Sequence, residues 1–272
     1  MIKKKSPHEL EIMTEGGRLL AQIKGQLVDF AQAGVSGLEI DHLATKLIVE
    51  AGAQVSFAME PGYRWATCID INDGVVHGVP TAYRLRPGDV VNLDVGLSWL
   101  GFHSDTSVTV GVGKISHQNE RFLAAGRQTL EQALSVVKVG RQIIDISRTI
   151  EKGIRKYGYS PVAALSGHGI GRRLHEDPLI PCVAIGDRRQ SPTIEPGMAL
   201  AIEVIYTQGN GEVAYGGSLL PSGERSTTRD DGWTIVSLDG TIGAVFEETI
   251  TVTEAGPRVV TRLGPESPRH FS

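Results

Sequence analysis

The sequence is poor in cysteine, in long apolar runs and in excess charge of either sign. Two cysteines among 272 residues, Cys68 and Cys182, cannot build a disulfide framework, and they point to a reduced, cytoplasmic setting. No apolar stretch approaches the roughly 18–20 residues of a membrane span, so no membrane association is expected. The basic start, Lys3-Lys4-Lys5, is followed by no apolar segment of the kind a secretory signal carries. A formal charge of −4 argues against a nucleic-acid binder, which needs a concentrated basic surface. Glycine is plentiful: 33 residues, well above the average of about 7%. Tight turns and close backbone approaches are expected.

Helix starts are marked by their caps. Ser6-Pro7-His8-Glu9 is a capping box with proline at the first helical position, and Ser36-Gly37-Leu38-Glu39 is a second box. From 54 to 113 the apolar period shortens and β-branched residues dominate. Two more helices are predicted, from about Ser116 to Val137 and from about Ile144 to Tyr157. Strand-like segments return at 198–206, 233–237 and 244–252. The order helix, helix, strands therefore occurs twice, which predicts a single duplicated domain with halves of about 1–113 and 114–256. Matched residues support the repeat. Pro87-Gly88 precedes Asp94 as Pro196-Gly197 precedes Glu203, and His77-Gly78 answers His168-Gly169. Asp105-Thr106 answers Glu247-Glu248. The glycine-rich segment 207–232 interrupts the repeat and reads as an excursion loop, with a lid as one reading and a tolerated insertion as the other.

The repeated positions carry chemistry. Asp94 stands inside Val-Val-Asn-Leu-Asp-Val and Glu203 inside Ala-Leu-Ala-Ile-Glu-Val, where an unpaired charge would be buried at a cost of several kcal/mol. A single strand carboxylate is more often an ion-pair partner, and a His before Gly is more often a turn residue. As a duplicated set, Asp94, Asp105, His168, Glu203 and Glu247 point instead to a metal centre. Four carboxylates and one imidazole match two divalent ions with a bridging oxygen, and the donor set suits Mn, Fe, Co or Zn.

Ile71-Asn72-Asp73-Gly74-Val75-Val76-His77-Gly78-Val79-Pro80, Asn92-Leu93-Asp94, Gly101-Phe102-His103-Ser104-Asp105-Thr106 and Gly167-His168-Gly169-Ile170-Gly171 with His175 resemble the type I methionine aminopeptidases. The resemblance continues through Glu203 and Glu247 and covers nearly the whole chain. It implies the α+β pita-bread fold, with an antiparallel sheet inside and helix pairs outside. It implies that Asp94 chelates one metal, that Asp105 and Glu247 bridge the pair, and that His168 and Glu203 complete the second. Glu203 would also take a proton from the attacking water. His77 would contact the scissile amide or leaving nitrogen, and His175 the carbonyl oxygen. The implied substrates are N-termini of nascent polypeptides, met as a monomer near the ribosome.

In the pocket for the first side chain, Tyr63, Cys68 and Trp233 match the family. Phe57, Glu60 and Leu174 do not; a small Cys, a Tyr and a Phe are usual there. Glu60 could repel the side chain that the pocket admits, or turn to solvent. Val204 stands where proline is usual and Glu248 where histidine is usual, the latter a feature shared with Xaa-Pro dipeptidases. That related activity is the alternative expectation, and a non-catalytic binding relative is a third. Only 44 residues separate Glu203 from Glu247, which leaves little room for the helical insertion of the type II enzymes.

Overall fold

A computed structural model describes residues 2–216 and 231–262. The first helix pair is α1 (Pro7–Phe30) and α2 (Gly37–Glu50). Both start at the predicted boxes: the Ser6 and Ser36 hydroxyls accept from the amides of Glu9 and Glu39, whose carboxylates accept in return from the capping amides. Strands β1 (Gln54–Val55), β2 (Thr67–Ile71), β3 (Gly74–Val76), β4 (Val90–Trp99) and β5 (Phe102–Gly111) follow. The second helix pair is α3 (His117–Ser135) and α4 (Ile143–Lys156). It leads into β6 (Ser160–Pro161), β7 (Ser166–Gly169), β8 (Glu176–Pro181), β9 (Ala199–Thr207), β10 (Val213–Tyr215), β11 (Ile235–Ser237), β12 (Gly243–Thr253) and β13 (Gly256–Val259).

The main sheet runs β1-β4-β5-β12-β9-β7-β8, with β2 added on β4, β6 on β9 and β13 on β12, and all its pairs are antiparallel. This is the antiparallel pita-bread arrangement that the motifs imply. A separate small sheet, β10-β11-β3, packs beside the main sheet through β3. The segment 207–232 is therefore not loop throughout. Val213–Tyr215 is a strand, paired antiparallel with Ile235–Ser237, and because that partner lies some twenty residues away, no local pattern announces it. The remainder of that predicted excursion, 217–230, lies outside the described residues.

Each helix pair buries one stripe against its part of the sheet. Leu20, Ile23 and Leu27 of α1 and Ile40, Ala44 and Ile48 of α2 pack with Leu93, Val95 and Leu97 of β4. Phe122 and Leu130 of α3 and Ile146, Ile150 and Ile154 of α4 pack with Leu200, Ile202, Val204 and Phe246. These stripes recur at three- and four-residue spacing, as an amphipathic helix requires. A third cluster, with Met13, Phe57, Tyr63, Phe102 and Leu174, lies beside the candidate site.

Two helical glycines behave differently. A methyl group on Gly126 would overlap the Phe246 ring and the Tyr206 hydroxyl, whereas one on Gly25 would meet nothing within 4 Å. Gly126→Ala should therefore lose about 1–3 kcal/mol to overpacking, despite alanine's better helix propensity. Gly25→Ala should gain about 0.5–1 kcal/mol. Urea denaturation midpoints of the two variants, moving in opposite directions, check this packing.

Candidate metal centre and active site

Register brings the five predicted ligands onto one face of the sheet. Asp94 on β4 stands opposite Ser107 on β5, and Asp105 stands opposite Gly96. Glu247 on β12 is opposite both Ser107 and Glu203, and His168 on β7 is opposite Ala201 on β9. Directly opposed residues share a face, as do residues two apart, so all five side chains project together. Asp105, His168 and Glu247 are buried, and each offers a ligand atom within 4.8 Å of the other two. The His168 Nε2 lies 3.6 Å from a Glu203 oxygen. Its Nδ1 lies 2.9 Å from the Gly169 carbonyl, which can only accept, so that nitrogen carries the proton and Nε2 presents its lone pair to the cluster.

Burial sets the electrostatics. It pushes the carboxyls of Asp94, Glu203 and Glu247 well above the usual range, and their mutual repulsion adds to it. The Asp105 carboxyl is pushed up to about 7 by burial, against a hydrogen bond from the Thr106 amide. His168 is pushed down to about 3 by burial and by the neighbouring His175, whose ring centroid lies 4.6 Å away. Among the described residues, two buried oxygens of the cluster, Asp94 Oδ1 and Glu247 Oε1, have no hydrogen-bond partner. Orphaned carboxylate oxygens facing a neutral imidazole nitrogen are the donor set of a divalent cation, so the residues fit a metal centre.

A cavity opens onto the cluster. Tyr63, Cys68, Leu174 and Trp233 line it, and so do Phe57, Glu60, His77 and His175. Tyr63 and Trp233 meet edge to face at 5.0 Å, and the Tyr63 hydroxyl donates to the Thr67 carbonyl at 2.8 Å. Phe57 fits in place of a smaller residue because Gly96 has no side chain; a methyl there would lie 2.7 Å from the Phe57 ring. His77 adopts a left-handed backbone, φ 59°, and its imidazole is open to the cavity, as is that of His175. Asp231 accepts from the Trp233 and Thr234 amides, and the Thr234 hydroxyl accepts from the Val79 amide. That chain ties the Trp233 wall to the His77 turn.

The two substitutions beside the ligands face away from the cavity. Val204 is buried in the α3–α4 core. Glu248 is buried behind the sheet, where it accepts from Lys24 at 3.1 Å, Thr261 at 2.6 Å and Arg262 at 3.3 Å.

Three supporting residues escaped the sequence reading. Asp70 is buried beside Cys68, accepts from Asn92 at 3.2 Å and crowds Gly78. Its signal was available, since it is a carboxylate within an apolar strand, as Asp94 is. Lys5 makes a buried 2.8 Å ion pair with Glu176, next to His175, and Lys24 reaches across to Glu248. Neither long-range pairing leaves a local trace.

A sheet face that gathers one imidazole and four carboxylates beneath an apolar cavity defines a metallohydrolase. The model of metallopeptidase family M24 matches residues 11–254, and the chain belongs to that family. The methionine aminopeptidase of Clostridium perfringens is 34% identical over 263 residues, covering 97% of this chain and all of that protein. The crystal structure of the methionine aminopeptidase from Thermotoga maritima matches with a TM-score of 0.88 at 31% identity, again over 97% of this chain and all of the other. A prolidase from Pyrococcus furiosus shares the fold at 20% identity and a TM-score of 0.73, and the chain covers 66% of it.

The cluster makes stability depend on pH in a defined sense. A carboxyl whose folded pKa is raised contributes stability that is complete below its unfolded value, near 4. That contribution is lost as pH rises through the folded value, about 7 for Asp105. Metal-free protein should therefore lose stability from pH 5 to pH 8, and a divalent cation should restore more of it at the higher pH. Melting temperatures with EDTA and with Mn²⁺ at both values check this; a metal-induced shift equal at the two would count against the cluster.

Proposed function

We propose that this metallopeptidase hydrolyses the first peptide bond of polypeptides and releases N-terminal methionine. The observation that carries the reading is the junction of the Asp105–His168–Glu247 cluster with a pocket walled by Tyr63, Cys68, Leu174 and Trp233. Methionine is unbranched, polarizable and apolar, and its sulfur is suited to aromatic edges such as these. The likeness over the full length of the methionine aminopeptidases supports the same reading.

Four carboxylates and one imidazole support a pair of divalent cations, from Mn, Fe, Co or Zn. Asp94 would hold one, Asp105 and Glu247 both, and His168 with Glu203 the second. Such ions, when bound, polarise the scissile carbonyl and make a water acidic enough to attack near neutral pH. Glu203, at the cavity edge of the cluster, accepts the proton of the attacking water and passes it to the departing amine. His175 donates to the carbonyl oxygen as negative charge grows on it, and His77 holds the scissile nitrogen. Phe57 narrows the pocket around the first side chain, and Leu174, smaller than the usual phenylalanine, gives room back on another wall. The helix-pair-then-strands order of each half supports an internal duplication, with halves of about 1–113 and 114–256. The reading extends to a monomer acting on nascent chains in the cytoplasm, close to the ribosome.

EDTA-treated protein should regain hydrolysis of Met-Ala-Ser on addition of Mn²⁺ or Co²⁺. Asp105→Asn should lower kcat/KM by more than about 100-fold, since losing even an outer partner of a metal ligand costs about 10–100-fold. Retained turnover in that variant would refute the ligand assignment, and faster cleavage of Ala-Pro than of Met-Ala would refute the methionine reading.

A further inference from the structure

Among the described residues, Glu60 is a carboxylate without a hydrogen-bond or ion-pair partner, and it lines the cavity of the candidate site. It follows the single helical turn Phe57–Met59, its amide donates to the Phe57 carbonyl at 3.0 Å, and its carbonyl accepts from the Tyr63 amide at 3.1 Å. The backbone is thereby pinned between two walls of the pocket. The side chain is half-buried and lines the same cavity as His175 and Trp233. Among the described residues, no hydrogen bond or ion pair ends on its carboxylate. Cations that could neutralise it are engaged elsewhere. The Arg64 guanidinium lies 4.8 Å over the Trp65 ring, and Arg172 binds Glu9 at 2.9 Å while lying over Phe102. The Glu60 charge acts instead on the imidazoles of His175 and His103.

A half-buried carboxylate gives up part of its hydration, and an opposite charge arriving beside it is favoured. The metal cluster does not need Glu60, because its own four carboxylates already match two divalent ions. The substrate's first side chain enters the apolar pocket. The polypeptide beyond the scissile bond must then leave through the same cavity, which His175 (exposed) and Glu60 (half-buried) help to line.

We infer that Glu60 is a specificity-determining residue that favours substrates with a basic side chain shortly after the scissile bond and disfavours acidic ones. The inference rests on the aminopeptidase reading above and narrows its substrate class. It also gives a role to the one pocket position where the chain carries a charge in place of the family's usual tyrosine.

The test compares Met-Ala-Lys-Ser, Met-Ala-Ser-Ser and Met-Ala-Glu-Ser on the full chain loaded with Mn²⁺. At low salt the lysine peptide should exceed the glutamate peptide in kcat/KM by about threefold to tenfold, the scale of one charge pair several ångströms apart in a partly screened site. The ratio should fall toward one in 0.5 M salt, because the cavity is exposed to solvent at His175. Glu60→Gln should bring the ratio close to one, and Glu60→Lys should invert it. A wild-type ratio near one, or a ratio unchanged in Glu60→Gln, overturns the inference while leaving the aminopeptidase reading intact. Failure to cleave all three peptides overturns both.

Discussion

Four carboxyl groups and one imidazole share a single face of the sheet, and little water reaches them. Two carboxylates about 4 Å apart repel by about 4 kcal/mol even at an effective dielectric near 20, and Asp105 and Glu247 offer oxygens within 4.8 Å of each other. The folded chain relieves the repulsion by holding protons on the carboxyls or by holding cations between them. At neutral pH the second route leaves His168 neutral and its Nε2 lone pair available. It also gives partners to the orphaned oxygens of Asp94 and Glu247. Charge balance at this one point is what the surrounding architecture serves.

The antiparallel register does most of that work. Glu203, Glu247 and Ser107 stand in one row across three strands, with Asp94 continuing it on a fourth. A slip of one residue in any strand would turn a ligand to the helix side. Several devices oppose such a slip. Lys24 of α1 reaches Glu248 and Thr106 behind the ligands and couples β5 to β12. Lys5 holds Glu176, and with it the turn that carries His175. Asp70 and Asn92 connect the His77 turn to Ser107, which stands in the ligand row. Breaking a buried pair such as Lys24–Glu248 would leave a charge stranded, the more costly event in a site already crowded with acid.

Much of this was legible in the chain. Local signals marked the helices, since Ser6 and Ser36 sit three residues before glutamates that close their capping boxes. Asp94 and Glu203 stood out as carboxylates within apolar strands, and Asp105, His168 and Glu247 joined them as matched positions of the repeat, so the sequence put forward all five as candidate ligands. What escaped depends on contacts distant in sequence. The strand Val213–Tyr215 pairs across the glycine-rich segment, and Lys24 and Glu248 are 224 residues apart. Phe57 is compatible with the pocket only because Gly96 yields space, a fact that neither residue states alone. Val204 and Glu248 departed from the family pattern in sequence, yet strand alternation turns both away from the cavity, so neither touches the first side chain there.

The charge gathered on this sheet face calls for divalent cations, and the proposal of two is open to direct test. Anomalous diffraction from crystals grown with Mn²⁺ tests it directly. Two peaks about 3.5–4 Å apart, with Asp105 and Glu247 between them and His168 and Glu203 on one side, are expected. A cluster that stays free of metal at saturating Mn²⁺, its carboxyls protonated and hydrogen-bonded to one another, would contradict the account.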